Sequence, residues 1–265
     1  MAPTEGHPDL VIRPVVEDDL DQVAELYAAT RRDAFPLMPP PVPSATEIRE
    51  RFGRAAASNE IWVAEDEDLA GFAMIDGDWL HSLYVGPDRQ GLGIGTALLD
   101  LVKARRPDGF GLWVFASNDK ARGFYRRHGL VELEHTDGSA NEERSPDVQM
   151  AWPGQIPIQY LRSAIDVVDD EIALLLSRRF ALTSSVQGFK EQGGQQGRDP
   201  DRERQIAERM AAHAPGLGAA AIGRIMHTVI DESLDAYDAA RSTGIPGVGT
   251  EVGTEASTEA STERR

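Results

Sequence analysis

The 265-residue sequence predicts two domains of different class: an α/β domain over residues 9–153 and an all-helical domain over 154–240, with a disordered tail at 241–265. Three observations predict this. Short strand-like runs precede a glycine-rich turn in the first half. In the second half, apolar residues return at helical spacing. From Arg241 the composition turns to Gly, Ser, Thr and Glu and includes the repeat TEASTEASTE, which buries too little apolar surface to order itself.

The first half opens with Val11-Ile12-Arg13-Pro14, a helical stretch around Leu20 to Thr30 and a Pro-rich patch from Pro36 to Pro43. Strand-like runs follow at Ile61–Glu65, Leu69–Ile75 and Trp79–Val85. Next comes GPDRQGLGIGTALL, in which glycines lead into an apolar helix. Free N–H groups at such a helix start suit a pyrophosphate. Gly91, Gly93 and Gly95 let the backbone approach it closely. Their alternating spacing is not that of a dinucleotide-binding fold, and no Gly-Lys-Ser/Thr follows as in a nucleotide-binding P-loop. Val148–Trp152 reads as the last strand, and Trp152-Pro153-Gly154-Gln155 as a hinge.

The second half starts with a long amphipathic helix over Ile158–Phe189, marked by Leu161, Ile165, Val168, Ile172, Leu175, Leu182 and Val186. Arg179 interrupts this stripe, and Lys190 lies about three turns further on the same face. The chain has only three lysines, so Lys190 is unlike a casual surface charge. Two cations on one apolar face call for an anionic partner. Asp199-Pro200-Asp201-Arg202 reads as the next helix start, with Asp199 and Glu203 sharing a face. The third helix, roughly Leu217–Ala240, carries Ser233 and Tyr237 at the same spacing. The first helix, about 50 Å long, is too long for a lone three-helix domain to cover and should pair with its copy in a second chain.

A net charge of −17 argues against nucleic acid and anionic membranes as partners. Zero cysteines exclude disulfides and thiolate chemistry. No apolar run reaches membrane-spanning length and the N-terminus lacks a signal's apolar core, so a cytoplasmic location is expected. The six histidines are scattered without ligand spacing, so no metal site is expected.

VGPDRQGLGIG, followed by LWVFASNDKARGFYRRHGL, resembles the acyl-CoA-binding core of the GNAT N-acetyltransferases, a resemblance that covers Leu10 to Trp152. It implies a mixed, strongly twisted sheet flanked by helices, with acetyl-CoA between two splayed strands. On this resemblance Gln90, Gly91, Gly93, Gly95 and Thr96 cradle the pyrophosphate. Main-chain groups of Leu83, Tyr84 and Val85 bind pantetheine and polarise the thioester carbonyl. Asn118 contacts the cofactor, and Tyr125 protonates the departing thiolate. Packing beside Phe124 is the alternative for Tyr125. The base that deprotonates the amine is open: His81, which shares a strand face with Leu83 and Val85 or is simply a core histidine, Asp76, Asp78 or a water chain. The acceptor amine is not readable from the sequence.

LRSAIDVVDDEIALLLSRR, then Lys190, RDPDRER and IDES, resembles the all-helical (AroQ-type) chorismate mutases over Ile158–Tyr237. The resemblance implies an intertwined dimer of three-helix protomers that rearranges chorismate to prephenate. Such a pericyclic step needs a held conformer and charge stabilisation rather than a nucleophile. Arg179 then resembles a carboxylate ligand, Lys190 the donor to the ether oxygen, and Arg162 the arginine that crosses into the partner's site. Asp199 and Glu203 resemble the pair that holds the substrate hydroxyl, and Ser233 a further carboxylate contact. Tyr237 stands where the family commonly has Gln or Glu. It can still donate a hydrogen bond, but is bulkier and leaves room for an amino analogue as substrate.

Three readings follow: a bifunctional acetyltransferase and mutase, an acetyltransferase whose helical half serves only for dimerisation, and a protein in which one pocket senses chorismate-like metabolites. The intact set Arg162, Arg179, Lys190, Asp199 and Glu203 argues for the first.

Overall fold

The computed structural model describes residues 10–40, 45–192 and 199–242. Packing divides the chain into two compact units, Met1–Ala164 and Ile165–Arg265. The division falls inside a helix, later than the hinge expected at 153/154, because the first turns of that helix belong to the sheet unit. There the Tyr160 ring lies over Gly109, where an added Cβ would come within 2.5 Å of it. The tail expected at 241–265 lies, from residue 243 on, outside the described residues.

The first unit is a seven-stranded sheet of order β1-β2-β3-β4-β5-β7-β6. Its strands are β1 Val11–Pro14, β2 Glu60–Asp66, β3 Asp68–Asp76, β4 Trp79–Val85, β5 Phe110–Phe115, β6 Val131–His135 and β7 Asp147–Trp152. All neighbours are antiparallel except β4 and β5. Strand β3 is buried on both faces, with Phe72, Ala73 and Ile75 fully inside, as a central strand between two helical layers must be.

Helices α1 Leu20–Asp33 and α2 Ala45–Ala56 cover one face through a core of Val23, Leu26, Ile48, Phe52, Val63 and Phe72. Tyr27 and Tyr84 pack against this core. Helices α3 Ile94–Arg105 and α4 Asp119–Arg127 belong to the other core, with Leu98, Leu99, Val102 and Tyr125. Ile94, Leu98, Leu99 and Val102 line one side of α3 at the spacing that makes a helix amphipathic. Successive β4 residues therefore look into different layers: Leu83 and Val85 join the α3 core, Tyr84 the α1 core.

Strands β4 and β5 pair at one position only, Trp79↔Gly111, and then diverge. Gly111 is required at the apex. A Cβ there would lie 2.9 Å from the Trp79 ring, which stacks on Trp113 with centroids 6.3 Å apart. A β-bulge lies at the same end of β4: Met74 pairs with Ser82 and Ile75 with Leu80, so His81 is the extra residue. A bulge breaks the strict alternation of faces. That removes the argument which put His81 on the cleft side.

The second unit contains α5 from Ile165 on (the whole helix is Pro157–Gln192), α6 Pro200–Ala211 and α7 Gly218–Ser242. Helices α6 and α7 pack on each other through Ala207, Ile222 and Met226. The α5 stripe differs. Ile165, Val168, Ile172, Leu175, Leu182 and Val186 are 48–63% exposed in the single chain. Among the described residues no helix is long and apolar enough to cross a membrane.

Candidate active sites

The divergence of β4 and β5 opens a cleft of about 870 Å³ in the first unit. Leu83, Tyr84 and Val85 line it from β4. Their β3 side is paired, to Ala73, Phe72 and Gly71, so their other edge faces the gap. Gln90, Gly91, Gly93, Gly95 and Thr96 line it from the turn into α3. Gly91 and Gly93 have φ of +81° and +86°, which glycine adopts without a Cβ penalty. An added Cβ at either would meet nothing within 4 Å, so the space over the turn is open. The first N–H groups of α3 have no intrahelical acceptor, and here they carry the positive end of the helix dipole. The chemistry fits a diphosphate.

Asn118 and Tyr125 line the same cleft from α4. Asn118 is also the N-cap of α4, its Oδ1 accepting from the Ala121 N–H at 3.1 Å. Tyr125 is 8% exposed, and burial pushes its hydroxyl well above the usual phenol range, so it stays protonated. Two partners escaped the sequence reading. Lys120 donates to Oε1 of Gln90 at 2.5 Å and holds it at the turn. His128 Nδ1 donates to the Phe124 carbonyl, which can only accept, at 2.9 Å, and its Nε2 lies 3.1 Å from the Thr96 hydroxyl. The spacing of HGL after α4 gave no sign of this bond.

The opposite layer of the cleft was not legible at all. Buried Arg31 donates through Nη2 to Pro39 O at 2.7 Å and to Oε1 of Glu143 at 2.8 Å, and through Nη1 to the Tyr27 hydroxyl at 3.2 Å. Its guanidinium also stands 5.3 Å from the Phe115 ring centroid. Burial alone would pull Arg31 down; Tyr84, Tyr27 and Glu143 hold it above its ordinary value. Glu143 lines the cleft from the β6–β7 connection, Asp147 from the start of β7, and Asp33 from α1. His81 does not line it; it is exposed and lies 3.9 Å from Asp76.

In the second unit Arg179 of α5 donates through Nη1 to Oγ of Ser233 on α7 at 3.1 Å. Ser233 is 8% exposed, and its hydroxyl donates a hydrogen bond to Val229 O at 2.6 Å. Tyr237 follows one turn later, half-buried. Glu203 on α6 lies 3.7 Å from His227 Nδ1, and His227 Nε2 lies 3.3 Å from Asp231. His227 was not singled out in the sequence. Asp199 is exposed and caps α6 by accepting from the Arg202 N–H at 2.9 Å. Lys190 is half-buried on the last turn of α5. Arg162 is exposed, on the part of α5 that belongs to the first unit. Among the described residues no group of three or more His, Cys, Asp or Glu could hold a metal ion.

Comparison with known proteins matches both halves. The family model of the acetyltransferase (GNAT) domain covers residues 57–132, and that of chorismate mutase type II covers residues 161–236. The peptidyl-lysine N-acetyltransferase YiaC of Escherichia coli (strain K12) is 35% identical over 102 residues, 37% of this chain and 66% of that protein. The mycothiol acetyltransferase of Acidothermus cellulolyticus is 29% identical over 127 residues, 46% of this chain and 38% of that protein. The chain therefore spans just under two thirds of the first relative and well under half of the second. A solved GNAT superfamily phosphinothricin acetyltransferase from Sinorhizobium meliloti, in complex with AcCoA, is 20% identical with a TM-score of 0.45, over 56% of this chain and 90% of that one. The chain thus carries, in tandem, a GNAT acetyltransferase domain and a type II chorismate mutase domain.

Proposed function

We propose that the chain is a bifunctional enzyme that transfers an acetyl group from acetyl-CoA to an amine and rearranges chorismate, or an amino analogue, to prephenate or its counterpart. One observation carries the first activity. Three separate segments, 83–85, 90–96 and 118–125, meet around one cleft where two parallel strands part. In this reading the turn at Gly91–Thr96 holds the pyrophosphate and the free edge of Leu83–Val85 holds pantetheine. Protonated Tyr125 donates to the leaving thiolate.

The mutase reading rests on the domain match and on Arg179 and Ser233 meeting inside the helical unit. Arg179 with Ser233 takes a substrate carboxylate, Lys190 the ether oxygen, and Asp199 with Glu203 the hydroxyl. Tyr237 supplies a phenol where an amide or carboxyl is usual, which favours an analogue as a second possible substrate. The uncovered α5 stripe supports a homodimer, in which Arg162 reaches the partner's site. An apolar face of this extent is unstable in water unless another surface covers it. A cytoplasmic location completes the reading.

The test follows chorismate loss and prephenate formation for wild type and Lys190→Ala, with sedimentation of both and acetyl-CoA binding alongside. Turnover by wild type and a loss of about 10²–10³ in the variant support the mutase. Absence of turnover with chorismate bound leaves a sensor, and absence of binding leaves a dimerisation module.

A further inference from the structure

We propose that Glu143 is the group that receives the acceptor amine and takes its proton, and that the acceptor is an ammonium compound that carries no carboxylate. This rests on the acetyltransferase reading of the cleft and names its substrate class.

The inference starts from how Glu143 is held. Its Oε1 accepts from Nη2 of Arg31 at 2.8 Å, and the two side chains are 13% and 4% exposed. Arg31 is itself fixed by Pro39 O and the Tyr27 hydroxyl. One carboxylate oxygen is therefore tied to a rigid partner, and among the described residues Oε2 has no hydrogen-bonding side chain or backbone group assigned to it. Because Glu143 lines the cleft, a carboxylate oriented by a third group borders the space that the acetyltransferase reading gives to the thioester, the arrangement that general-base catalysis requires.

The layer matters as much as the residue. Arg31 touches Tyr27, which packs in the α1 core together with Tyr84, whereas Tyr125 belongs to the α3 core. The acid and the base thus come from opposite faces of the sheet, on either side of the gap between β4 and β5. An acyl group threaded through that gap would meet the amine from one side and the thiolate's proton donor from the other.

Charge then selects the acceptor. The cleft-lining cations Lys120 and Arg127 both come from α4, beside the glycine turn. The lining carboxylates are Asp33 of α1, Glu143 of the β6–β7 connection and Asp147 at the start of β7; Arg31 behind Glu143 offsets one of these charges and leaves an acidic excess. Asp147 is 9% exposed and accepts from Thr136 Oγ1 and, at 2.9 Å, from Asn141 Nδ2, both neutral donors. A carboxylate carried by the acceptor would face like charge here, while an ammonium gains from it.

In the reaction the ammonium gives one proton to Oε2 of Glu143, and the freed lone pair forms the C–N bond to the acetyl carbon. The C–S bond breaks with its electron pair on sulfur, and Tyr125 protonates the thiolate. The second nitrogen proton restores Tyr125 through water, and Glu143 releases its proton to solvent. The products are the amide, CoA thiol and one proton.

The experiment uses the full chain, acetyl-CoA and three amines whose nitrogen carries the same straight five-carbon chain, ending in hydrogen, an amine or a carboxylate: pentylamine, cadaverine and 6-aminohexanoate. Thiol release and N-acetyl product are measured from pH 6 to 10, for wild type, Glu143→Gln and Glu143→Asp, with acetyl-CoA affinity measured separately. The inference expects kcat/KM for pentylamine and cadaverine to exceed that for 6-aminohexanoate by at least about tenfold. It expects Glu143→Gln to lose about 10²–10⁴ in kcat with unchanged acetyl-CoA affinity, and Glu143→Asp to recover part of it. It is overturned if 6-aminohexanoate is preferred, if none of the three is acetylated by enzyme that binds acetyl-CoA, or if Glu143→Gln keeps its rate and pH profile. Failure of wild type to bind acetyl-CoA sinks the acetyltransferase reading itself, which is a distinct result.

Discussion

The guanidinium of Arg179 donates to the Ser233 hydroxyl across 3.1 Å, joining α5 to α7 inside the helical unit. Ser233 uses its proton on Val229 O, so it stands as an acceptor that keeps the guanidinium from turning away. Arg179→Lys retains the charge but loses the planar fork. It should lower kcat/KM for chorismate about tenfold to a hundredfold, the loss of a charge-assisted contact of about 1.5–3 kcal/mol. Ser233→Ala should raise KM with a smaller effect on kcat. Equal kinetics for wild type and Arg179→Lys would remove Arg179 from the site.

Gly111 is the apex of the divergence. Gly111→Ala places a methyl group 2.9 Å from Trp79 and should cost about 1–3 kcal/mol through overpacking. Urea unfolding measures it. Trp79→Leu in the Gly111→Ala background should restore part of the loss, since the clash is with that ring.

Gly93 tests the turn by a different route. Its φ of +86° strains any other residue, yet no atom lies within 4 Å of the added Cβ. Gly93→Ala should therefore destabilise by only about 1–2 kcal/mol. Acetyl-CoA affinity should fall further than stability does, because the methyl occupies the open space over the helix start. Calorimetric titration against thermal melting separates the two.

Tyr125→Phe should reduce acetyl transfer by about 10²-fold with little change in acetyl-CoA affinity. Burial raises the Tyr125 hydroxyl above its ordinary value near 10. A raised pKa means the proton is retained as pH climbs. The wild-type rate should consequently show no falling limb from this group around pH 10, whereas an exposed phenol acid would give one.

Asp19 sets an acid limit on the sheet unit. The Arg13 guanidinium, at 2.6 and 2.9 Å, holds its carboxyl below the usual range against the opposing effect of burial. A depressed pKa gives stability that is present above the unfolded value of about 3.9 and disappears as pH falls through the native one. Asp19→Asn should cost about 1–3 kcal/mol at pH 7. The gap between variant and wild type should narrow steadily below about pH 4, as measured by urea midpoints across pH.

Much of this molecule was legible from the chain alone, for reasons of periodicity. The α5 stripe, the Asp199 cap and the strands around Phe72 are local patterns whose spacing is set by 3.6-residue and 2-residue repeats. The glycine turn was legible because positive φ at Gly91 and Gly93 leaves a residue-type signature. The sequence by itself therefore determined both domain families, their order along the chain, and ten of the residues that line the cleft.

What only the tertiary structure decided is which distant residues share that cleft. Arg31 and Glu143 are 112 residues apart, one near the end of α1 and one in an aperiodic connection, so no local repeat marks them as partners. The same holds for His81, whose place on the strand face follows from alternation until a bulge at Met74/Ile75 interrupts it. The physical reason is common to both. Local periodicity fixes where a side chain points along its own element, but contact between elements depends on packing and register, which involve residues remote in the chain.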